Sequence, residues 1–521
     1  MQQIALNTLG GVAKGEGFNM GLSRRDFLKM GGSACLVMGA GAALAGCAPK
    51  GEEGAASAEG EYVVGAADIN FTKETEILIV GTGIAGLAAG MEPSMAGKKI
   101  TFIDKQATYG GDSIASCWFG FSTGAKIQTE NGYPMTAAEK WEASKEKTLD
   151  PKRALPFDWY AEWAERKNTA SAAWMDCAAD NFGATWMKPF SDEELPGMGA
   201  AVVLPEKGIG SGAECVMEPM KKQLEANGAE FIMDTRATAL IKDPEGRVIG
   251  CRCVDNNSGK IIDIKAKATV VATGCFIDNQ EMMCQYEPDY KPYGNLVNYS
   301  TGDGQLMMAA AGAKLFNMEG NYANLMGDIP NATTWGYWAP IVLVLPNGKR
   351  FIEEGQSHDA AQAAVDAGYR EWWVLFDQQA FDARGIADSV QKNVKSRADV
   401  YHVADTVEDL AAQIDVPVDA LVATFNRYNE LVDAGEDADF GKKKHLKKLV
   451  PPFHALREHV VRYKSIGGAL CDNNNMVLDE KDAPIPGLYA TGAATTLSMS
   501  SVSTCGAIGY YCGKSLVETV E

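Results

Sequence analysis

Apolar positions along this chain fall into short runs separated by small or charged residues. Residues 75–80 form one such run and predict a strand, and Gly81-Thr82-Gly83-Ile84-Ala85-Gly86 follows at once. Small residues over 87–96 predict a helix, and residues 99–104 predict a second strand closed by an acid, Asp104. Strand, glycine turn, helix, strand and terminal acid in one stretch is the context in which a glycine pattern specifies dinucleotide binding. Gly81 permits the tight turn, and Gly83 lets the backbone approach a pyrophosphate at the helix N-terminus. Gly86 permits close packing of helix on strand, with Ala85 beside it in the same turn. Asp104 is placed to accept hydrogen bonds from a ribose. Farther on, residues 269–274 predict a strand ending in Ala272-Thr273-Gly274, and Ser300-Thr301-Gly302-Asp303-Gly304 leads into another small-residue helix.

The N-terminal pattern differs. Ser23-Arg24-Arg25-Asp26-Phe27-Leu28-Lys29 precedes an uncharged stretch over residues 30–46. An arginine pair before such a stretch predicts a twin-arginine export leader. The stretch is too short, and too rich in Gly and Ala, for a permanent span. Leu44-Ala45-Gly46-Cys47 resembles a bacterial lipobox, which implies a lipid anchor at Cys47; an ordinary cleavage site is the alternative. The expected location is the cell surface or periplasm. Residues 48–70, rich in Gly, Ala, Ser and Glu, read as part of a flexible tether reaching to 73.

Composition narrows the function. The 521 residues, 46% of them hydrophobic, can build two or three domains with a sizeable core. The formal net charge of −20 argues against nucleic acid as a partner and against charge-driven binding to anionic lipid. Lys14, Arg24, Arg25 and Lys29 outweigh Glu16 and Asp26 in the leader, so the mature chain would carry about −22. Twelve Cys are too few for a disulfide scaffold, and five His argue against a multi-histidine metal site. Loss of Cys35 with the leader and lipidation of Cys47 would leave ten thiols, which suits an anoxic habitat. Neither Cys-x-x-Cys-His nor iron–sulfur spacing occurs, so a separate electron donor is expected, such as a membrane haem or quinol-linked protein. The basic run from Lys442 to Lys448 reads as a solvated face, with a docking face for a partner as the alternative.

Residues 105–113, which include Lys105, Gly110, Gly111, Asp112 and Ser113, begin a resemblance to the FAD-dependent fumarate reductase and 3-ketosteroid dehydrogenase superfamily. Asp112 stands where that family has Asn, and Cys275 where it has a second Gly. The resemblance continues through the hairpin around Ala237, the Ala272-Thr273-Gly274 strand end and the Thr-Gly-Asp-Gly turn with Asp303. It returns at Gly467-Gly468, at Ile485-Pro486-Gly487-Leu488-Tyr489-Ala490-Thr491-Gly492 and at Cys505-Gly506-Ala507-Ile508-Gly509. It implies FAD as cofactor, contacted at these positions, with Gly506, Ala507 and Ile508 opening the last helix against the flavin. The implied fold is α/β, a Rossmann-like FAD-binding domain with an inserted α+β cap. The implied divisions are a leader at 1–47, a tether at 48–73, FAD-binding segments at 74–316 and 463–521, and a cap at 317–462.

The cap carries Gly348-Lys349-Arg350-Phe351 with Glu354, a pattern of that family. A few residues later, where fumarate reductases carry an acid-delivering Arg, this chain has His358 beside Asp359. Alkene reduction needs a hydride on one carbon and a proton on its neighbour, and an imidazolium near neutral pKa is a capable acid. His358 is therefore the expected proton donor, with Glu354 orienting it or relaying protons; a bare helix start is the alternative. Lys464-Ser465-Ile466 replaces the His-Thr-x of fumarate reductases, and Thr504 stands in place of a substrate-binding Arg. Lys464 is then the best remaining substrate cation, with Tyr463 beside it. Trp335, Tyr337 and Trp338 either line an apolar pocket or belong to the core. The expected function is an exported FAD-dependent oxidoreductase reducing an activated C=C bond of a small enoate or enone. Two alternatives remain open here: dehydrogenation of a ketone-bearing, steroid-like substrate by His358 and Tyr463, and a non-catalytic flavin lipoprotein that binds ligand or relays electrons.

Overall fold

The computed structural model describes residues 62–116, 119–121, 123–149, 159–189, 202–203, 205–208, 210–286, 294–295, 299–318, 325–327, 339–354, 357–382, 388–462, 464–496 and 501–520. The leader, Cys47, Trp335, Tyr337, Trp338 and Tyr463 lie outside them.

Two sheets organise the chain. The larger has nine strands among the described residues, with Lys73–Val80 inside it. That strand pairs in parallel with Ile100–Ile103 on one side and with Ile261–Val271 on the other. Glu230–Ile232 and Pro484–Ala490 add further parallel pairings. Thr235–Lys242, Val248–Asp255 and Ile261–Val271 form an antiparallel meander. Ile77 to Val80 are all buried because both faces of the strand are covered. Alternation sends Ile77 and Ile79 into one core and Leu78 and Val80 into another.

The first core holds two helices, Ile84–Met95 and Val502–Thr519, in backbone contact. A methyl group placed on Gly509 would lie 2.3 Å from the Ala85 carbonyl oxygen, and one on Gly513 would lie 2.7 Å from that of Ala89. Small residues thus let the last helix lie directly on the helix that follows the glycine turn. Helix Tyr160–Phe182 covers the same core, with Trp174 and Phe182 buried.

The second sheet is antiparallel around Phe453–Arg462, which pairs with Glu371–Phe376, Tyr401–Ala404 and Leu325–Gly327. Ile341–Val344 extends it beyond Glu371–Phe376. Helix Ser357–Asp366 packs on one face, and Val407–Gln413 and Val418–Ala434 pack on the other. This is the inserted α+β layer, and the α/β class with a parallel-rich sheet is the one expected from the sequence.

Two details differ at the divisions. Gly294–Asn295, ahead of residue 317, pairs in parallel with Val461–Arg462 and so belongs to the second sheet. The tether also ends earlier than 73, because Val63–Gly65 pairs in parallel with Leu240–Lys242 and extends the larger sheet. Among the described residues, no helix is long and apolar enough to cross a membrane.

Substituting Gly509→Val forces a side chain into the Ala85 backbone, and overpacking of this kind costs about 3 kcal/mol. Gly65→Ala is the control, since an added methyl group there meets nothing. The urea midpoint is expected to fall sharply for Gly509→Val and to hold for the control.

Candidate nucleotide cradle and active site

The glycine turn is built by main-chain crowding. Gly81 has φ +108°, and a methyl group on it would lie 2.4 Å from the Ala272 carbonyl oxygen. On Gly86 a methyl group would lie 2.1 Å from the Gly81 carbonyl oxygen. Gly83, by contrast, faces only Ser113 Oγ at 3.4 Å and the Gly110 carbonyl oxygen at 3.8 Å. It caps helix Ile84–Met95 with extended backbone and no side-chain cap. The helix N-terminus therefore opens toward the 110–113 turn, where Ser113 Oγ accepts from Ile84 N at 3.2 Å. Gly110 and Gly111 both have left-handed φ, +116° and +48°, as this turn requires. Ala85 serves the packing of the last helix and of Gly492, whose added methyl group would lie 2.5 Å from Ala85 Cβ.

Around this turn, polar atoms are sealed from solvent without partners. They are Asp112 Oδ1, Thr273 Oγ1 and Thr491 Oγ1. Thr273 follows Ile261–Val271 and Thr491 follows Pro484–Ala490, so both sit at the carboxyl ends of parallel strands. Buried polar groups are normally paired, and ligands of open α/β sheets bind at strand carboxyl ends. The arrangement fits a dinucleotide laid along the glycine turn.

Other predicted contacts are engaged by protein. Asp104 Oδ2 accepts from Thr82 N at 2.8 Å and from Thr82 Oγ1 at 2.6 Å, and Oδ1 accepts from Gln106 N at 2.9 Å. A carboxylate has about four lone-pair sites, so room for a ribose hydroxyl remains. Lys105 and Asp303 face each other at 3.1 Å, and Arg236 Nη2 donates to Asp303 Oδ1 at 2.7 Å. Burial pushes the Asp303 carboxyl up, but Arg236 and Lys105 outweigh it and hold it below the usual range. This ion triad ties helix Asp303–Ala310 to the second strand's end and to the hairpin. Ala237 is buried within that hairpin, opposite Cys253. A methyl group on Gly468 would lie 2.3 Å from the Ala494 carbonyl oxygen, and Gln305 Nε2 donates to the Gly274 carbonyl at 3.0 Å. Ala272 is buried where the strand meets Gly81.

The last helix corrects one expectation. It begins at Val502, so Gly506, Ala507 and Ile508 lie in its second turn and not at its opening. All three are buried, and a methyl group on Gly506 would meet the Trp174 indole at 2.7 Å. Trp174 Nε1, and Ser503 Oγ in the first turn of the last helix, are also sealed without partners, and no sequence motif signals them.

On the cap side, Glu354 is buried and fully engaged. Arg350 Nε donates to Oε1 at 2.9 Å and Nη2 to Oε2 at 2.8 Å, while Arg350 also pairs with Asp437 at 2.8 Å. Lys442 Nζ lies 3.5 Å from Glu354 Oε2 and donates to the Ile341 carbonyl at 2.7 Å. Glu354, expected to orient His358 or relay protons, is thus a member of a buried ion cluster. The solvated-face reading is corrected for Lys442, whose side chain is wholly buried. Burial pushes the Lys442 ammonium down, against the pull of Glu354. Three residues beyond Glu354 begins helix Ser357–Asp366, with His358 in its first turn; the His358 side chain lies outside the described residues.

Lys464 is buried, as is Arg462 at the end of the long cap strand. The next residue, Ser465, accepts from Phe276 N at 2.9 Å, two positions past Gly274. The cap strand's end is thereby stitched to the nucleotide cradle, with two buried cations at the seam. Arg462 escaped the motif reading; its one signal was a cation closing an apolar strand.

Residues 76–509 match the model of the FAD binding domain family. The chain is 27% identical to digoxin reductase of Eggerthella lenta, over 97% of this chain and 96% of that protein. It is 26% identical to a probable fumarate reductase of Shewanella frigidimarina, over 81% of this chain and 70% of that protein. Among solved structures, the open conformation of a flavocytochrome c3 fumarate reductase shares the fold with a TM-score of 0.67 and 23% identity, over 85% of this chain and 79% of that one.

Breaking a buried ion cluster by neutralising one member costs about 3 kcal/mol. Glu354→Gln is expected to lower the urea unfolding free energy by that amount. Full stability with lost turnover would make Glu354 a proton relay instead.

Proposed function

The chain belongs to the FAD binding domain family and is an FAD-dependent oxidoreductase acting on CH–CH groups; from that premise we propose that it reduces a carbon–carbon double bond beside a carbonyl. Gly81, Gly83 and Gly86, the 110–113 turn, Asp104, Thr273 and Thr491 would hold the cofactor. When bound and reduced, FAD supplies a hydride.

The observation that supports this reading is the Ser465–Phe276 bond, with the buried cations Arg462 and Lys464 just before Ser465 in the chain. Buried cations there bind the oxygen of a carbonyl or carboxylate and draw electron density from the adjoining double bond. That polarisation directs hydride to the carbon remote from the carbonyl and leaves negative charge next to it. His358 then gives its proton to the carbon beside the carbonyl and recovers one from water. The product is the saturated carbonyl compound, and two electrons per turnover enter from a separate haem- or quinol-linked donor.

Two relatives named as reductases, one of digoxin and one of fumarate, support reduction as the direction. Thr504 offers no charge for a second carboxylate. The acceptor is accordingly bulkier and less anionic than fumarate, an enone or an aryl-substituted enoate. The Arg24-Arg25 leader and Cys47 support export and a lipid anchor, which would bring the enzyme to a membrane electron donor.

Purified FAD-loaded protein is incubated without oxygen with reduced viologen and a panel of enoates, enones and fumarate. Fastest dye oxidation with an enone or aryl enoate is expected; fastest with fumarate would overturn the substrate class. Activity only with an oxidised dye and a saturated ketone would reverse the direction. His358→Gln is expected to lose at least about a hundredfold in turnover while keeping its FAD; full activity would remove His358 from the reaction.

A further inference from the structure

Asp112 is an acid of the cradle with one oxygen that the protein leaves unpartnered. The residue is partly exposed, yet its Oδ1 is sealed from solvent and has no partner. Its Oδ2 accepts from Ser300 Oγ. Ser300 Oγ lies only 2.5 Å from where a methyl group on Gly274 would be, so the bare glycine is what leaves room for this bond. The turn that carries Asp112 also touches the nucleotide end directly. Gly110 N donates to the Thr82 carbonyl at 3.2 Å, and Ser113 Oγ accepts from Ile84 N. An unpartnered carboxyl oxygen therefore sits in the turn that flanks the helix N-terminus, the place where a diphosphate binds.

We propose that Asp112 carries a proton when FAD is bound, so that FAD binding takes up one proton from water. This rests on the FAD family assignment and not on alkene reduction. An ionised carboxylate at that position would keep one oxygen sealed from water while lying in the turn beside an anionic cofactor, and both disfavour the charged form. The neighbouring groups do not offset that repulsion. Lys105 is the nearby cation, but it is engaged by Thr301 and Asp303. Asp278 adds a second negative charge, and the buried Cys275 thiol adds no positive one. Ser300, Lys105 and the Tyr299 backbone amide favour the ion; burial opposes them more strongly and pushes the carboxyl up to about 6 before any cofactor is present.

The sign of the pH effect follows. Below about pH 6 the proton is already in place, and FAD affinity is constant. Above that value binding must draw the proton from solvent, and affinity falls by up to about tenfold per pH unit. Asp112→Asn keeps the shape of the side chain and removes the titration.

The test measures FAD release from the holoenzyme on dilution, by recovery of flavin fluorescence, from about pH 5.5 to about pH 8. The wild type is expected to bind progressively more weakly above about pH 6, while Asp112→Asn retains FAD with no such slope. Equal slopes in the two proteins, a flat wild type, or a folded Asn variant that has lost FAD at every pH would each overturn the proposal. Should Asp112→Asn fail to fold, infrared difference spectra of wild-type protein with and without FAD at about pH 7.5 decide the matter. A protonated carboxyl band that appears with FAD supports the proposal, and its absence overturns it.

Discussion

Everything at this site depends on how closely the main chain approaches itself around one glycine turn. Gly81 lies against the Ala272 carbonyl, Gly86 against the Gly81 carbonyl, and Gly509 against the Ala85 carbonyl. None of these places has room for a β-carbon. Their contacts set the first strand beside Ile261–Val271 and lay the last helix on the first, so that strand ends far apart in sequence meet at one edge. The unpartnered oxygens of Asp112, Thr273 and Thr491 all lie at that edge. A cradle made by backbone contact holds its shape without side chains filling the space that a ligand needs.

The cap obeys a different constraint. Its sheet is anchored by a charge cluster in which Arg350, Glu354, Asp437 and Lys442 are sealed inside the protein. Arg350 also lies over the Tyr428 and Phe440 rings, at 5.0 and 4.8 Å. Such a cluster is stable only when complete, and it therefore fixes the register of the 341–354 hairpin from which the His358 helix departs. From the opposite end of the same sheet, Phe453–Arg462 runs toward Ser465 and its bond to Phe276. One strand thus links the cap sheet to the cradle.

The glycine turn was legible in the sequence because its parts are contiguous: strand, turn, helix and second strand occupy residues 73–104. The family motifs identified the later strand ends for the same reason, since each is a local run. What escaped was long-range pairing. Lys105 and Asp303 are separated by 198 positions and Arg350 and Asp437 by 87, so their mutual neutralisation left no local trace. Glu354 looked like an accessory to His358 because it is near in sequence, whereas it is held by Arg350, four residues before it, and by the distant Lys442. Lys442 looked solvated because it begins a basic run, yet the run's first member turns inward to Glu354. The last helix began earlier than the Gly506 motif suggested, and helix Tyr160–Phe182, which brings Trp174 to that helix, carries no motif at all.

The central claim is that the cradle and the cation-bearing seam together reduce an activated double bond. The most direct measurement is a single turnover: holoprotein reduced without oxygen is mixed with one equivalent of an aryl enoate or enone, and flavin absorbance and product are followed together. The account predicts return of the oxidised flavin spectrum with one saturated product formed per FAD. Flavin that stays reduced while the alkene remains intact across the panel would contradict it.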